Sequence, residues 1–167
     1  MIIVCPLNKA HALAEQHGAG HVVSLLGPGT PHHSFDGIEH GQHLRLNFHD
    51  IVQSTDGLTP PQAADAERLV GFLRDWPRQR PMLIHCWAGI SRSTAAAYIA
   101  LCLLRPHASE DDLAWGLRAA SPSATPNRLI VSLTDRLLGR QGRMVHAIDA
   151  IGRGAEAFEG TPFVLRP

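Results

Sequence analysis

PMLIHCWAGISRSTAAAYIALCLL, residues 81–104, joins two patterns through one loop. Pro81–His85 is a short apolar run of strand length, and Ser93–Leu104 is apolar on every side, as a helix buried in the middle of a domain would be. Between them stands His85-Cys86-Trp87-Ala88-Gly89-Ile90-Ser91-Arg92-Ser93. A loop that leaves a strand and enters a helix turns successive backbone N–H groups inward and sets a helix N-terminus behind them, which makes a cradle for an anion. Gly89 lets the backbone turn without a Cβ clash. Arg92 supplies a planar fork suited to two oxygens of a phosphate. Inside such a ring of donors the Cys86 sulfur is favoured as thiolate. Ser93 can hydrogen-bond that sulfur and ease its departure in a second step. A sulfur nucleophile aimed at a bound oxyanion is the apparatus of phosphoryl transfer. In a chain of this composition, His-Cys followed by Arg six residues later arises by chance only about 0.02 times.

Working outward, the N-terminal half alternates strands with helices. Ile2–Cys5, ended by Pro6, reads as an edge or first strand, and Asn8 as the cap of a helix through His17, stopped by Gly18 and Gly20. His21–Leu26 is a β-branched, apolar run typical of a buried parallel strand. Gly27–Gly41 is loop-like, and His43–Phe48 alternates into a strand that leads to His49 and Asp50. Thr59-Pro60 has the chemistry of a helix start, with Ala66, Leu69, Val70, Leu73 and Trp76 as the apolar stripe.

Beyond residue 104 the pattern is helical alone. Ser109 followed by Glu110, Asp111 and Asp112 opens one helix. Thr125-Pro126 opens another carrying Leu129, Ile130, Leu133 and Leu137, and Gly142–Ile151 a third. Phe158, Phe163 and Val164 are expected to dock the tail on the core. The fold class predicted is α/β with a helical C-terminal half. Residues 1–140 are read as the catalytic domain, with 141–167 as a helical extension and tail packed on it.

Composition narrows the function. The chain has 167 residues with 15 basic and 15 acidic side chains, so no net charge draws it to nucleic acid or an anionic membrane. No run is long and apolar enough to span a bilayer, and the first residues lack the basic flank of a secretory signal. Cys5, Cys86 and Cys102 form no CxxC pair, which argues against a disulfide or zinc scaffold and for a reducing, cytoplasmic compartment. Cys5 and Cys102 are read as structural. Eleven histidines, among them His32, His33, His40, His43 and His49, show no metal-ligand spacing with a carboxylate, so neither metal nor cofactor is expected.

HCWAGISRS resembles the HCx5R(S/T) signature of the cysteine-dependent protein tyrosine phosphatases, and of their compact dual-specificity branch in particular. The similarity in element order runs over roughly residues 20–138. It implies a mostly parallel central sheet with helices on both faces. Cys86 matches the family's nucleophile, Arg92 its phosphate-binding arginine, Ser93 the adjoining hydroxyl and His85 the residue that orders the loop. The backbone from Trp87 through Ala88, Gly89, Ile90 and Ser91 matches the oxyanion cradle. Asp50, directly after its strand, matches the general acid ahead of Asp56. The resemblance implies hydrolysis of phosphomonoesters, on a phosphorylated protein or a small phosphate ester, through a cysteinyl-phosphate. The loop has no lysine, unlike many inositide-directed members, and segments that deepen the phosphotyrosine slot of larger relatives are missing. Two alternatives are a rhodanese-like sulfurtransferase and a phosphate-binding module without catalysis.

Overall fold

The computed structural model describes residues 1–167. Its elements are β1 (Ile2–Pro6), α1 (Leu7–His17), β2 (His21–Leu26), β3 (His43–Asn47), α2 (Ala63–Asp75), β4 (Met82–Cys86), α3 (Arg92–Leu104), α4 (Glu110–Ala120), α5 (Arg128–Leu137), α6 (Arg143–Ile151) and β5 (Phe163–Leu165). The strands form one sheet in the order β3-β2-β4-β1-β5. The first four are parallel, and β5 runs antiparallel along β1.

The apolar runs of β1 and β4 are buried along their whole length, because helices cover both faces of the sheet. The cover is uneven. One face holds Ile3, Cys5, Val22 and Leu83 against Ala10 and Ala14 of α1 and Phe35 of the β2–β3 loop. On the other face, Val4, Val23, Leu46 and Ile84 meet α2, α3 and the C-terminal helices. There α3 lies innermost, with every residue from Arg92 to Cys102 buried. Cys86 ends the central strand, in register with Leu25 of β2 and Pro6 of β1. In open parallel sheets the carboxyl ends of the strands are where ligands bind.

Several expectations need correction. α1 starts at Leu7 on Pro6, and the Asn8 side chain bonds Glu159 instead of capping the helix. Thr59-Pro60 does not open α2, because a residue that precedes proline, as Pro60 precedes Pro61, is pushed to extended backbone. α2 begins at Ala63, with Gln62 and Asp65 in a reciprocal capping box. α5 starts after Asn127, whose Oδ1 accepts from Leu129 N and Ile130 N, and not at Thr125-Pro126. Its buried face is Ile130, Val131, Thr134 and Asp135, while Leu137 is 45 % exposed. β1 is the first strand, as expected, but it does not lie at an edge, since β5, too short to show an alternation in the sequence, pairs with it. Of the three tail residues expected to dock, Phe163 is buried, whereas Phe158 stands in solvent and Val164 is exposed.

Asp135 explains why a carboxylate occupies the inward face of α5. Its two oxygens accept from Gly142 N at 2.6 Å and Met144 N at 2.8 Å, satisfying orphan donors at the start of α6. Asp135→Ala leaves those N–H groups without a partner, and should cost about 2–3 kcal/mol. Thermal denaturation should show the midpoint falling by about 5–10 °C; an unchanged midpoint would mean that α6 is held by its apolar face alone.

Candidate active site

The loop from Cys86 to Arg92 is shaped by where its carbonyl groups go. Leu7 N donates to Trp87 O at 3.1 Å, Gly160 N to Ala88 O at 2.8 Å, Thr125 N to Ile90 O at 2.9 Å and Asn127 N to Ser91 O at 3.3 Å. A trans peptide holds its C=O and N–H on opposite sides. Four outward carbonyls therefore turn the N–H groups of Ala88, Gly89, Ser91 and Arg92 to the inside of the loop. Gly89 N reaches Cys86 Sγ at 3.2 Å. Gly89 itself has φ +71°, and a Cβ there would sit 2.7 Å from Pro6 N. Both the dihedral and the close approach to β1 require glycine.

Cys86 is buried at the end of β4, and the Ser93 hydroxyl lies 3.1 Å from its sulfur. Arg92 is also buried, and donates from one terminal nitrogen to Phe48 O at 2.9 Å. It makes no ion pair with any acidic residue, and its Nε is buried without a partner. A buried guanidinium without a counter-ion is costly, and an oxyanion seated in the loop removes that cost.

Asp50 reaches the same loop from the end of β3. Its Oδ1 accepts from Ser91 Oγ at 2.7 Å and from Asn127 Nδ2 at 2.8 Å. No protein donor is bonded to Oδ2, so the two oxygens differ: one is anchored and the other is available. Asp56 sits exposed in the turn beyond and makes none of these contacts. The turn is closed by His49 and Thr59, through His49 N to Thr59 O at 2.7 Å and Thr59 N to His49 Nδ1 at 2.8 Å.

Under the loop lies a neutral polar chain. Ser24 Oγ is 2.6 Å from His85 Nε2 and 2.8 Å from His43 Nε2. One hydroxyl proton serves one ring, so the other ring must donate its own Nε2–H to the serine oxygen. Burial, reinforced by the neighbouring His43 and His32, pushes His85 down to about 3. Burial likewise pushes His43 down to about 4. Burial raises Cys5, and Cys102 in α3, each to about 12. No three His, Cys, Asp or Glu side chains come together as a metal-binding group, and no helix is long and apolar enough to cross a membrane.

The structure thus brings Cys86, Arg92, Ser93, Asp50 and the Trp87–Ser91 backbone around one space, with His85 beneath. Sequence reading missed Asn127, Ser24 and His43. Asn127 did carry a signal, since Asn after Pro126 before an apolar stripe is a good N-cap. Its amide is divided: the oxygen caps α5 while the nitrogen holds Asp50 and Ile51 O. Ser24 and His43 lie on two different strands and carry no local signal.

No protein-family model and no curated protein matches the sequence. Solved structures do. PTP-2 phosphatase of Cydia pomonella aligns with a TM-score of 0.63 at 19 % identity, over 81 % of this chain and 84 % of its own. A mouse putative dual specificity phosphatase gives 0.62 at 18 %, over 88 % and 86 %. The human tyrosine phosphatase-like serine/threonine/tyrosine-interacting protein gives 0.64 at 16 %, over 84 % and 92 %. The chain has the compact α/β fold of these proteins, and the mostly parallel sheet read from the sequence is the one observed.

Because the unfolded chain takes up a proton on His85 near pH 6.5 and the folded one only near 3, stability is full above pH 6.5 and is lost as pH falls from there. The loss from this one ring is about 1.4 kcal/mol per pH unit. Urea unfolding at pH 7.5, 6 and 5 should show it, and His85→Asn should flatten the slope by about that amount. An equal slope in both proteins would mean that His85 is not held neutral.

Proposed function

We propose that this chain is a cysteine-dependent phosphatase that hydrolyses phosphomonoesters, with phosphorylated protein side chains as its substrate class. The observation that carries the reading is the buried Arg92 guanidinium, which has no acidic partner, together with a Cys86 sulfur that accepts from Gly89 N in the same loop. The fold shared with phosphatases supports it.

In the proposed reaction, Arg92 and the inward N–H groups hold the equatorial oxygens of the phosphoryl group. The Cys86 thiolate attacks phosphorus in line, forming an S–P bond as the ester P–O bond breaks. Asp50, anchored through Oδ1, delivers a proton from Oδ2 to the leaving oxygen. Water then attacks the cysteinyl-phosphate while Asp50 takes its proton. The P–S bond breaks, and the Ser93 hydroxyl donates to the departing thiolate. None of these steps calls for a metal or an organic cofactor. Sulfur transfer would have no use for an anchored carboxylate at this position, which disfavours the rhodanese-like alternative. The three free, buried cysteines support a reducing, cytoplasmic setting.

Hydrolysis of p-nitrophenyl phosphate with EDTA present tests the reading, and Cys86→Ser should abolish it while phosphate or vanadate binding persists. Turnover by that variant above background would sink the covalent mechanism. Arg92→Lys keeps the charge but loses the fork, so a severe loss is expected there too.

Asp50→Asn separates the acid from the other groups. It should slow phenyl or alkyl phosphates by about 10²–10⁴, slow an activated aryl ester much less, and remove the alkaline limb of the kcat profile. Asp56→Asn should change neither. The reverse pattern would move the acid to Asp56.

A further inference from the structure

Next to the phosphate cradle lies a cavity of about 470 Å³, lined by Leu7 and His11 of α1, His33, Trp87, Phe158 and Glu159. Trp87 and its neighbour Ala88 belong to both spaces, through their backbone to the cradle and through their outer surface to the cavity. Cys86, Arg92 and Asp50 do not line it. A group in the cavity is therefore a neighbour of the phosphorylated group and not its carrier.

Two large aromatic side chains face solvent here, Trp87 at 60 % and Phe158 at 95 % exposure. Phe158 is not exposed because its segment is loose. Glu159 binds Lys9 Nζ at 2.9 Å and Asn8 Nδ2 at 2.8 Å, and Gly160 N is bonded to Ala88 O. A Cβ on Gly160 would lie 2.7 Å from Gly89 O, so the segment presses directly on the loop. At its other end Ala155 N bonds Pro122 O and Gly154 N bonds Thr125 Oγ1. A strap of residues 152–160, fixed at both ends, thus holds an aromatic ring in water at the edge of the cradle. Rigid exposed aromatics beside a pocket are the side chains that dominate recognition surfaces.

Building on the phosphatase reading, we infer that this cavity is a specificity pocket, with Phe158 and Trp87 gripping an apolar or aromatic side chain next to the phosphorylated residue of a peptide. Continuity with the cradle through Trp87 and Ala88 makes the occupant a residue close in sequence to the phosphorylated one. The charge pattern favours a peptide over an anionic lipid, because the lining holds no lysine or arginine and its one carboxylate, Glu159, is paired with Lys9.

The test uses phosphotyrosyl and phosphoseryl peptides with Phe, Leu, Ala or Asp at the two positions on either side of the phosphoresidue. For the wild type, kcat/KM should favour Phe or Leu over Ala by about tenfold or more at one of those positions, mainly through KM. Phe158→Ala should bring that ratio to within about twofold of one, and Phe158→Tyr should retain it. A ratio near one in the wild type, or one that survives Phe158→Ala, overturns the pocket. Wild-type turnover of p-nitrophenyl phosphate in the same buffer shows that the phosphatase reading stands in that event; an inert wild type overturns both. Phe158-dependent sedimentation with phosphatidylglycerol vesicles, without discrimination among peptides, reassigns the ring to a membrane and also overturns the proposal.

Discussion

Everything around Cys86 depends on the inversion of four peptide units. Convergent N–H groups repel one another and lose water, so a loop with inward donors holds its shape only if its carbonyl groups are bonded outward. The fold recruits those partners from three places distant in sequence. The start of α1 supplies Leu7 N, the segment before α5 supplies Thr125 N and Asn127 N, and the C-terminal strap supplies Gly160 N. Gly89 completes the constraint by resting on the Cys5–Pro6 peptide, where any side chain would collide. Gly160, in the C-terminal tail, therefore helps to hold the loop from outside.

The same economy governs charge. Arg92 is the one fixed cation in the cradle, and the fold gives it a backbone carbonyl but no carboxylate. A carboxylate would quench the attraction for phosphate. Asp50 is instead held at the rim, by Ser91 of the loop and Asn127 of α5, through one oxygen only. Beneath the loop, His85, Ser24 and His43 form a chain kept neutral by burial, so it supports Cys86 without adding a second charge. Positive charge, donors and carboxylate are thereby kept apart, as the proposed in-line transfer of a phosphoryl group asks of a protein.

The two faces of the sheet divide structural duties. α2, α4 and α5 pack on α3, which is buried from Arg92 to Cys102, and fix the direction from which Arg92 and Ser93 enter the site. The other face is thinner, with α1 and Phe35 covering a smaller cluster. That thinner side is where the cavity beside Trp87 opens, because α1 begins at Leu7 immediately after β1 and leaves its first turn facing the strap.

Sequence by itself determined the strand–loop–helix unit that carries Cys86, Arg92 and Ser93. Their chemistry is carried by contiguous residues whose local backbone preferences agree: an apolar strand, a glycine turn and an all-round apolar helix. It also placed Asp50 correctly at the end of a strand. It erred on helix starts at Asn8, Thr59 and Thr125: Glu159 takes the Asn8 side chain, Gly154 N donates to the Thr125 hydroxyl, and Pro61 holds Pro60 extended. Tertiary structure alone decided what holds Asp50, which lies 41 residues from Ser91 and 77 from Asn127. It alone decided that β5 covers β1 and that Phe158 faces solvent. Those outcomes rest on contacts between segments far apart in the chain, and no periodicity or spacing within one segment encodes them.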